Sequence, residues 1–195
     1  MMKPVQLIRK TKETQINLEL QLNGTGQSNI STGVGFFDHM LTLFAFHGLF
    51  DLTIQCRGDL NVDDHHTIED VGILLGQALC QALPEKKNYR RYGAALLPMD
   101  ETLARAVIDL SGRPFFVLNA QFSREKLGVF STEMVEEFFR AFAMNAKLTL
   151  HLAIEYGRNE HHKIEALFKA AARALAQALE VDSRRTQPAS SKGML

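Results

Sequence analysis

The sequence predicts an α+β fold made of two copies of one unit of roughly 90 residues. A short segment occurs twice, as Asp-Asp-His-His-Thr-Ile-Glu-Asp at 63–70 and as Asn-Glu-His-His-Lys-Ile-Glu-Ala at 159–166. Each copy opens an apolar helical pattern, and each is preceded by a strand-rich segment, a helix and a strand. The same order of elements given twice indicates an internal duplication.

In the first half, alternating apolar and polar residues interrupted at Lys10–Lys12 predict two strands joined by a turn. A loop bracketed by glycines is expected from 24 to 35, and Gly48 is expected to stop the helix that follows it. Asp63 and Asp64 are candidate caps for the motif helix, which should end before a proline. The predicted elements are strands within 5–22 and at 50–57, and helices at 36–47 and 65–83.

The second half repeats this plan, and at an offset of 96 residues Leu52-Thr53-Ile54 aligns with Leu148-Thr149-Leu150. We therefore divide the chain into a first half (1–90), a second half (91–182) and a polar tail (183–195), with the halves forming one structural unit. The predicted elements of the second half are strands at 94–98, 102–110, 115–122 and 147–155, and helices at 132–145 and 161–180.

Composition excludes several classes of protein. Twenty-two basic and twenty-two acidic residues give no net charge, which argues against nucleic-acid and membrane-surface binding. No apolar stretch approaches the length of a membrane span, and the first residues lack the apolar core of a signal peptide. Cys56 and Cys80 lie in apolar surroundings, which is typical of buried thiols in a reducing compartment. We expect a cytoplasmic protein.

The repeated motif predicts metal binding. Residues four apart share one face of a helix, so His65 with Glu69 and His161 with Glu165 can each bind one ion. The adjacent histidines, His66 and His162, lie roughly 100° further round the helix and should reach a different ion. Imidazole and carboxylate ligands suit Mn, Fe, Zn or Ni without choosing among them. The repeat therefore predicts a two-metal centre.

Two further ligands follow from the repeat. His39 lies on the predicted helix 26 residues before the first motif histidine, and Glu137 lies on the equivalent helix 24 residues before His161. His151 is the alternative to Glu137, although its strand position equally fits a structural role. His47 falls at a helix C-terminus and is interpreted as a cap. Eight ligands would give each of two ions four, which leaves open positions for a substrate.

Several longer segments carry a resemblance to a known family. They are Thr32–Met40, Gly58–Thr67, Asp109–Pro114, the second His-His-Glu segment and Ser190–Gly193. Together they closely resemble imidazoleglycerol-phosphate dehydratase of histidine biosynthesis, and the match runs from about Arg9 to Gly193. The chain has no room for the phosphatase domain that is fused to some relatives, so it resembles the monofunctional form.

The resemblance implies a fold and an assembly. The fold is a duplicated βαβ-type half, like the second domain of ribosomal protein S5, with two four-stranded sheets packed against helices. Members assemble into an octahedral 24-mer, and their active sites, each with two Mn(II) ions, form between subunits. The implied reaction removes water from imidazole glycerol phosphate and gives imidazole acetol phosphate, so the implied enzyme is a hydro-lyase.

The resemblance also implies roles for individual residues. Glu13 matches the catalytic acid/base, and position 137 holds Glu where some relatives carry His. The tail is expected to order over the substrate as a lid. The implied metal ligands are His39, His65, His66, Glu69, Glu137, His161, His162 and Glu165. The implied phosphate-binding residues are Arg91, Arg113, Lys169, Ser190 and Lys192.

The chemistry of the substrate predicts how these groups act. Its C2 proton is not acidic, because no carbonyl adjoins C2, so activation must come through the imidazole ring. We expect a route through imidazolate and a diazafulvene, whose C2 proton Glu13 removes. Two other classes of protein share the His/Glu set: a metal-dependent hydrolase, and a metal-storage or scaffold particle. The hydrolase would not use Arg113 and the Ser-Ser-Lys tail in a specific way, and the particle would need neither Glu13 nor the phosphate-binding residues.

Overall fold

The computed structural model describes residues 4–83, 88–184, 187, 189 and 190. It contains two four-stranded sheets and four long helices, and this confirms the predicted α+β class. Among these residues, no helix has the length and apolar character needed to cross a bilayer. The elements of the first half are β1 (Val5–Lys10), β2 (Thr14–Gln21), β3 (Ser28–Ser31), α1 (Gly35–Gly48), β4 (Asp51–Gly58) and α2 (His65–Ala82).

The second half repeats the first element by element. Its sheet has the order β5-β6-β10-β7, which matches β1-β2-β4-β3. In each sheet the last pair of strands is parallel and the other pairs are antiparallel. The elements are β5 (Tyr92–Met99), β6 (Thr102–Asp109), β7 (Phe115–Asn119), a small hairpin of β8 (Lys126–Leu127) and β9 (Phe130–Ser131), α3 (Met134–Ala146), β10 (Thr149–Tyr156) and α4 (Glu160–Leu179).

The helices lie between the two sheets and join the halves. Helices α1 and α2 pack against the first sheet, and α3 and α4 pack against the second. Across the middle, α1 contacts α4 and α2 contacts α3. One continuous apolar core fills this space, because each sheet turns its apolar face inward and each helix has an apolar stripe. The phenylalanines of this core are Phe37, Phe44, Phe50, Phe130, Phe138, Phe139, Phe142 and Phe168.

Three local predictions need correction. The glycine-bracketed segment is not only a loop, because it contains β3, which pairs in parallel with β4 at the edge of the sheet. The first helix extends through Gly48, and Leu49 is the residue that adopts the left-handed conformation (φ 55°). Gly48 is required for space, since a Cβ there would lie 2.2 Å from the Phe50 ring. Of the two candidate caps, only the Asp63 side chain accepts a hydrogen bond from a backbone N–H of the helix, that of His65, whereas the Asp64 side chain makes no capping hydrogen bond.

A close approach between β5 and α4 predicts a packing-sensitive glycine. A Cβ at Gly93 would lie 1.9 Å from the carbonyl oxygen of Ala174 and 2.8 Å from the amide nitrogen of Ala178. Gly93→Ala should therefore lower the free energy of unfolding by about 1–3 kcal/mol, as is usual for overpacked cores. Urea unfolding measures the change. Gly35→Ala is the matched control, since its Cβ would meet nothing within 4 Å, and equal midpoints for the two variants would contradict the prediction.

Candidate metal centre

The first cluster of candidate ligands joins the two halves of the chain. His39 on α1 meets His161 and Glu165 on α4, and their ligand atoms all lie within 4.8 Å of one another. The Nε2 atoms of His161 and His39 are 3.1 and 3.5 Å from Oε2 of Glu165. The cluster forms because α1 packs against α4. We call these three residues the first triad.

The second triad has the same plan with the halves exchanged. His65 and Glu69 on α2 meet Glu137 on α3, again with all ligand atoms within 4.8 Å. Nε2 of His65 is 3.4 Å from Oε2 of Glu69, and Glu137 also forms an ion pair with Arg140. His151, the alternative to Glu137, is exposed on β10 between Val107 and Val117, away from the helices.

The remaining motif histidines belong to neither triad. Nδ1 of His66 lies 3.1 and 3.2 Å from the carboxylate oxygens of Asp59, and Nδ1 of His162 lies 2.7 Å from Oε2 of Glu101. These hydrogen bonds raise the pKa of both histidines above the ordinary value. The hydrogen bond from His162, together with those from the backbone amides of Asn159 and Arg158, lowers the pKa of the Glu101 carboxyl. Each motif helix therefore directs its two histidines to different places, as the spacing predicted.

The buried ligand of the first triad is a carboxylate. Burial alone would raise the pKa of Glu165, but the hydrogen bond and charge of Lys169 and the hydrogen bond from His161 bring it below its ordinary value. Glu165 is therefore ionised at neutral pH, which is the state that binds a cation. Nζ of Lys169 contacts Glu165 directly and lies 3.7 Å from Sδ of Met99.

The structure places Glu13 beside the first motif helix. Glu13 lies in the turn between β1 and β2, its side chain is half-exposed, and its Oε1 is 3.9 Å from Nε2 of His66. The backbone of this turn is held in place because the Glu13 carbonyl accepts from the Asp59 N–H and the Thr14 hydroxyl donates to Asp70 on α2. A solvent-accessible carboxylate is thus fixed next to the candidate ligands.

Most of the predicted phosphate-binding residues lie elsewhere. The Arg91 guanidinium donates to Asp109 through Nε and Nη2 and to the carbonyl oxygen of Ala189 through Nη1. Arg113 lies beside the same carboxylate, 3.9 Å away, and is largely exposed. Ser190 follows Ala189 in this region, which we call the arginine cluster. Lys192 lies outside the described residues.

The arginine cluster is far from the first triad of the same chain. The Arg91 N–H donates to the carbonyl oxygen of Ala178, 13 residues beyond Glu165 on α4, which at 1.5 Å per residue is about 20 Å along the helix. Strand β6 gives a similar span. It begins at Thr102, next to Glu101, which contacts His162, and it ends at Asp109, which contacts Arg91. These residues span roughly 23 Å of strand. One chain therefore separates the first triad from Arg91 and Arg113, whereas the candidate phosphate ligand Lys169 contacts Glu165 directly.

Sequence reasoning named Asp64 only as a candidate cap, and it missed Glu160 and the serine partners of both carboxylates. Asp64 accepts from the N–H and hydroxyl of Ser131, and Glu160 accepts from the N–H and hydroxyl of Ser123. Both acids are buried, and both immediately precede a His-His pair. Their equivalent positions in the repeat were the available signal, whereas Asp59 and Glu101 come from unrelated places in the sequence.

Comparison with known proteins agrees with the family resemblance of the sequence. The family model for imidazoleglycerol-phosphate dehydratase matches residues 32–175. A dehydratase of that name from an Exiguobacterium species is 59% identical over 194 residues, covering 100% of this chain and 99% of the relative. One from Acetivibrio thermocellus is 60% identical over 187 residues and covers 96% of each.

Solved structures give the same result for the fold. The crystal structure of imidazoleglycerol-phosphate dehydratase from Staphylococcus aureus superposes with a TM-score of 0.84 at 49% identity, covering 92% of this chain and 100% of the other. The enzyme from Pyrococcus furiosus, crystallised with (S)-C348, has a TM-score of 0.83 at 35% identity, covering 97% and 100%. The chain therefore belongs to the imidazoleglycerol-phosphate dehydratase family, the hydro-lyases of that name in histidine biosynthesis.

Proposed function

We propose that the protein dehydrates imidazole glycerol phosphate to imidazole acetol phosphate at a centre of two Mn(II) ions. The observation that carries this proposal is the pair of triads. Each offers histidine nitrogen and carboxylate oxygen within 4.8 Å, a donor set that suits Mn(II). The first triad would hold one ion and the second triad the other. When bound, the ions would act as Lewis acids toward the imidazole ring and the departing hydroxyl.

The proposed acid/base is Glu13. A general base must reach the proton that it removes, and this carboxylate is exposed and held in a fixed turn beside His66. In the proposed reaction the C3 hydroxyl leaves first, which makes the C2 proton of the substrate acidic, and Glu13 then takes that proton. The product enol then ketonises.

We further propose that each active site is shared between subunits. The ring and the phosphorus of the substrate are joined by three carbons and one oxygen, a span of roughly 6–7 Å at ordinary bond lengths. That is far less than the roughly 20 Å between the first triad and the arginine cluster of one chain. A neighbouring copy would supply Arg91, Arg113, Ser190 and Lys192, while Lys169 lies beside the first triad.

Shared sites also account for the two unused histidines and for an apolar surface. We propose that His66 and His162 complete the metal shells of neighbouring subunits. The outer face of the second sheet exposes large apolar side chains, among them Leu96 and Phe115, whereas that of the first sheet is mostly polar. Burying such a face between copies is the usual basis of assembly, and a 24-mer is the proposed particle. Both cysteines are free thiols, which supports the proposed cytoplasmic location because that compartment keeps thiols reduced.

Metal removal and replacement tests the proposed function. The protein is stripped with a chelator, and dehydration of imidazole glycerol phosphate and particle mass are followed before and after Mn(II) is added. We expect both activity and the assembled mass to be lost on stripping and to return with about two Mn(II) per chain. Mn(II) binding and assembly that return without dehydration would retain the centre and overturn the reaction. Full activity of the stripped protein would overturn the metal centre.

A further inference from the structure

The four motif histidines differ in what holds their rings. In the triads, His65 and His161 face their own helix carboxylates through Nε2. His66 and His162 instead face a carboxylate from another segment through Nδ1. The segment is the β4–α2 loop for Asp59 and the β5–β6 turn for Glu101. The same contact thus arises in both halves from sequence positions that the motif does not include.

This contact determines which ring nitrogen carries the proton. An ionised carboxylate only accepts hydrogen bonds, so Nδ1 must donate and Nε2 of the neutral ring keeps its lone pair. The nearest carboxylate oxygens to Nε2 are too distant for a hydrogen bond, at 3.9 Å from Glu13 for His66 and 3.8 Å from Asp100 for His162. Among the residues that the structure describes, neither Nε2 makes a hydrogen bond, so its lone pair is available to a metal ion.

We infer that Glu101 and Asp59 are positioning residues that fix the tautomer and orientation of His162 and His66, so that each presents Nε2 to a metal ion. This inference rests on the proposed metal centre. Carboxylates that hold a ligand histidine in this way raise its basicity, and their loss typically costs about 10–100-fold in metal affinity. Neither residue touches substrate or metal in this role.

Glu101 holds its histidine more firmly than Asp59 does. Oε1 of Glu101 accepts from the backbone N–H groups of Arg158 and Asn159, at 3.0 and 2.8 Å, and from the Thr102 hydroxyl. Oε2 is thereby left facing Nδ1 of His162 at 2.7 Å. Asp59 instead offers both of its oxygens to His66 at nearly equal distances. The two carboxylates are thus predicted to respond differently to amide substitution.

Glu101→Gln should invert the tautomer of His162. The two backbone N–H groups require the carbonyl oxygen of the glutamine on their side, which turns its NH₂ group toward Nδ1. Nδ1 must then accept, and Nε2 carries the proton and cannot bind metal. In Asp59→Asn, the amide oxygen can still face Nδ1 of His66, so a much smaller effect is expected.

Mn(II) titration by calorimetry of the metal-stripped protein tests this inference. Wild type should bind two ions per chain. Glu101→Gln should weaken one of the two sites by about 10–100-fold and leave the other unchanged, whereas Asp59→Asn should weaken binding by less. Glu19→Gln, an acid-to-amide change at a partly exposed position on β2, is the control. Far-UV circular dichroism and particle mass show whether each variant folds and assembles.

The outcomes separate the inference from the proposed function. Wild-type affinity at both sites in a folded Glu101→Gln variant overturns the positioning role and leaves the metal centre intact. A wild-type protein that binds no Mn(II) overturns the metal centre and, with it, the inference. If Glu101→Gln does not fold, Asp59→Ala takes its place, because it removes the acceptor of the His66 Nδ1–H. A folded Asp59→Ala variant should bind one ion about 10–100-fold more weakly, and wild-type affinity at both sites would overturn the role.

Discussion

Glu13→Gln is expected to fold, assemble and bind two Mn(II) per chain, yet to lose turnover by about 10²–10⁴-fold. The amide has the shape of the carboxylate but cannot accept the C2 proton. The turn itself should persist, because it is held by the Glu13 backbone and by the hydrogen bond from Thr14 to Asp70. Steady-state kinetics with imidazole glycerol phosphate measure the loss, which should fall on kcat more than on KM.

The control for this variant is the same chemical change at a partly exposed position away from the candidate site. Glu19 lies on β2, where its carboxylate accepts from the Gln6 amide, and Glu19→Gln should keep wild-type turnover. A Glu13→Gln enzyme that turns over near the wild-type rate would overturn the assignment of Glu13. Loss of Mn(II) binding together with turnover would make Glu13 a residue of the metal centre.

Two inactive variants are expected to restore each other when they assemble together. Arg113→Ala removes an exposed guanidinium from the arginine cluster, and Glu165→Gln removes the buried carboxylate of the first triad. Each alone should lose activity on the order of 100-fold or more, because a charged ligand of the substrate or the metal is missing. If the two residues serve one site from different chains, random one-to-one mixing leaves about a quarter of the sites intact.

Co-expression with two different affinity tags and tandem purification gives the mixed particles. The matched control is wild type co-expressed with the double variant that carries both changes on one chain. Shared sites predict about a quarter of wild-type activity in both mixtures. Sites contained within one chain predict no recovery for the single variants and about half for the control, and that pattern would overturn the shared site.

Local spacing was sufficient for the secondary structure and for part of the site. Alternation predicted the paired strands, and the 3.6-residue period predicted four helices within two residues of their ends. The same geometry predicted that His65 meets Glu69 and that His161 meets Glu165, because residues four apart on a helix are neighbours in any fold. The short strand β3 was not predicted, because its four residues, Ser28–Ser31, show no alternation of apolar and polar side chains and pair only at a sheet edge.

Local spacing in the sequence could not predict which helices contact each other or which turns contact the motif helices. The packing of α1 on α4 and of α2 on α3 brings His39 and Glu137 to their triads and leaves His151 on the outer face. Similarly, only the folded turns bring Asp59 and Glu101 to the motif histidines.

The sequence by itself determined that this is a duplicated α+β protein with two His-His-Glu helices and, by its motifs, the family to which it belongs. The tertiary structure decided how the ligands group into triads, which carboxylates hold His66 and His162, and that the arginine cluster lies about 20 Å from Glu165. The physical reason is one of range. Periodicity describes neighbours within a helical turn or a strand pair, whereas distances across the molecule depend on which apolar faces are buried together.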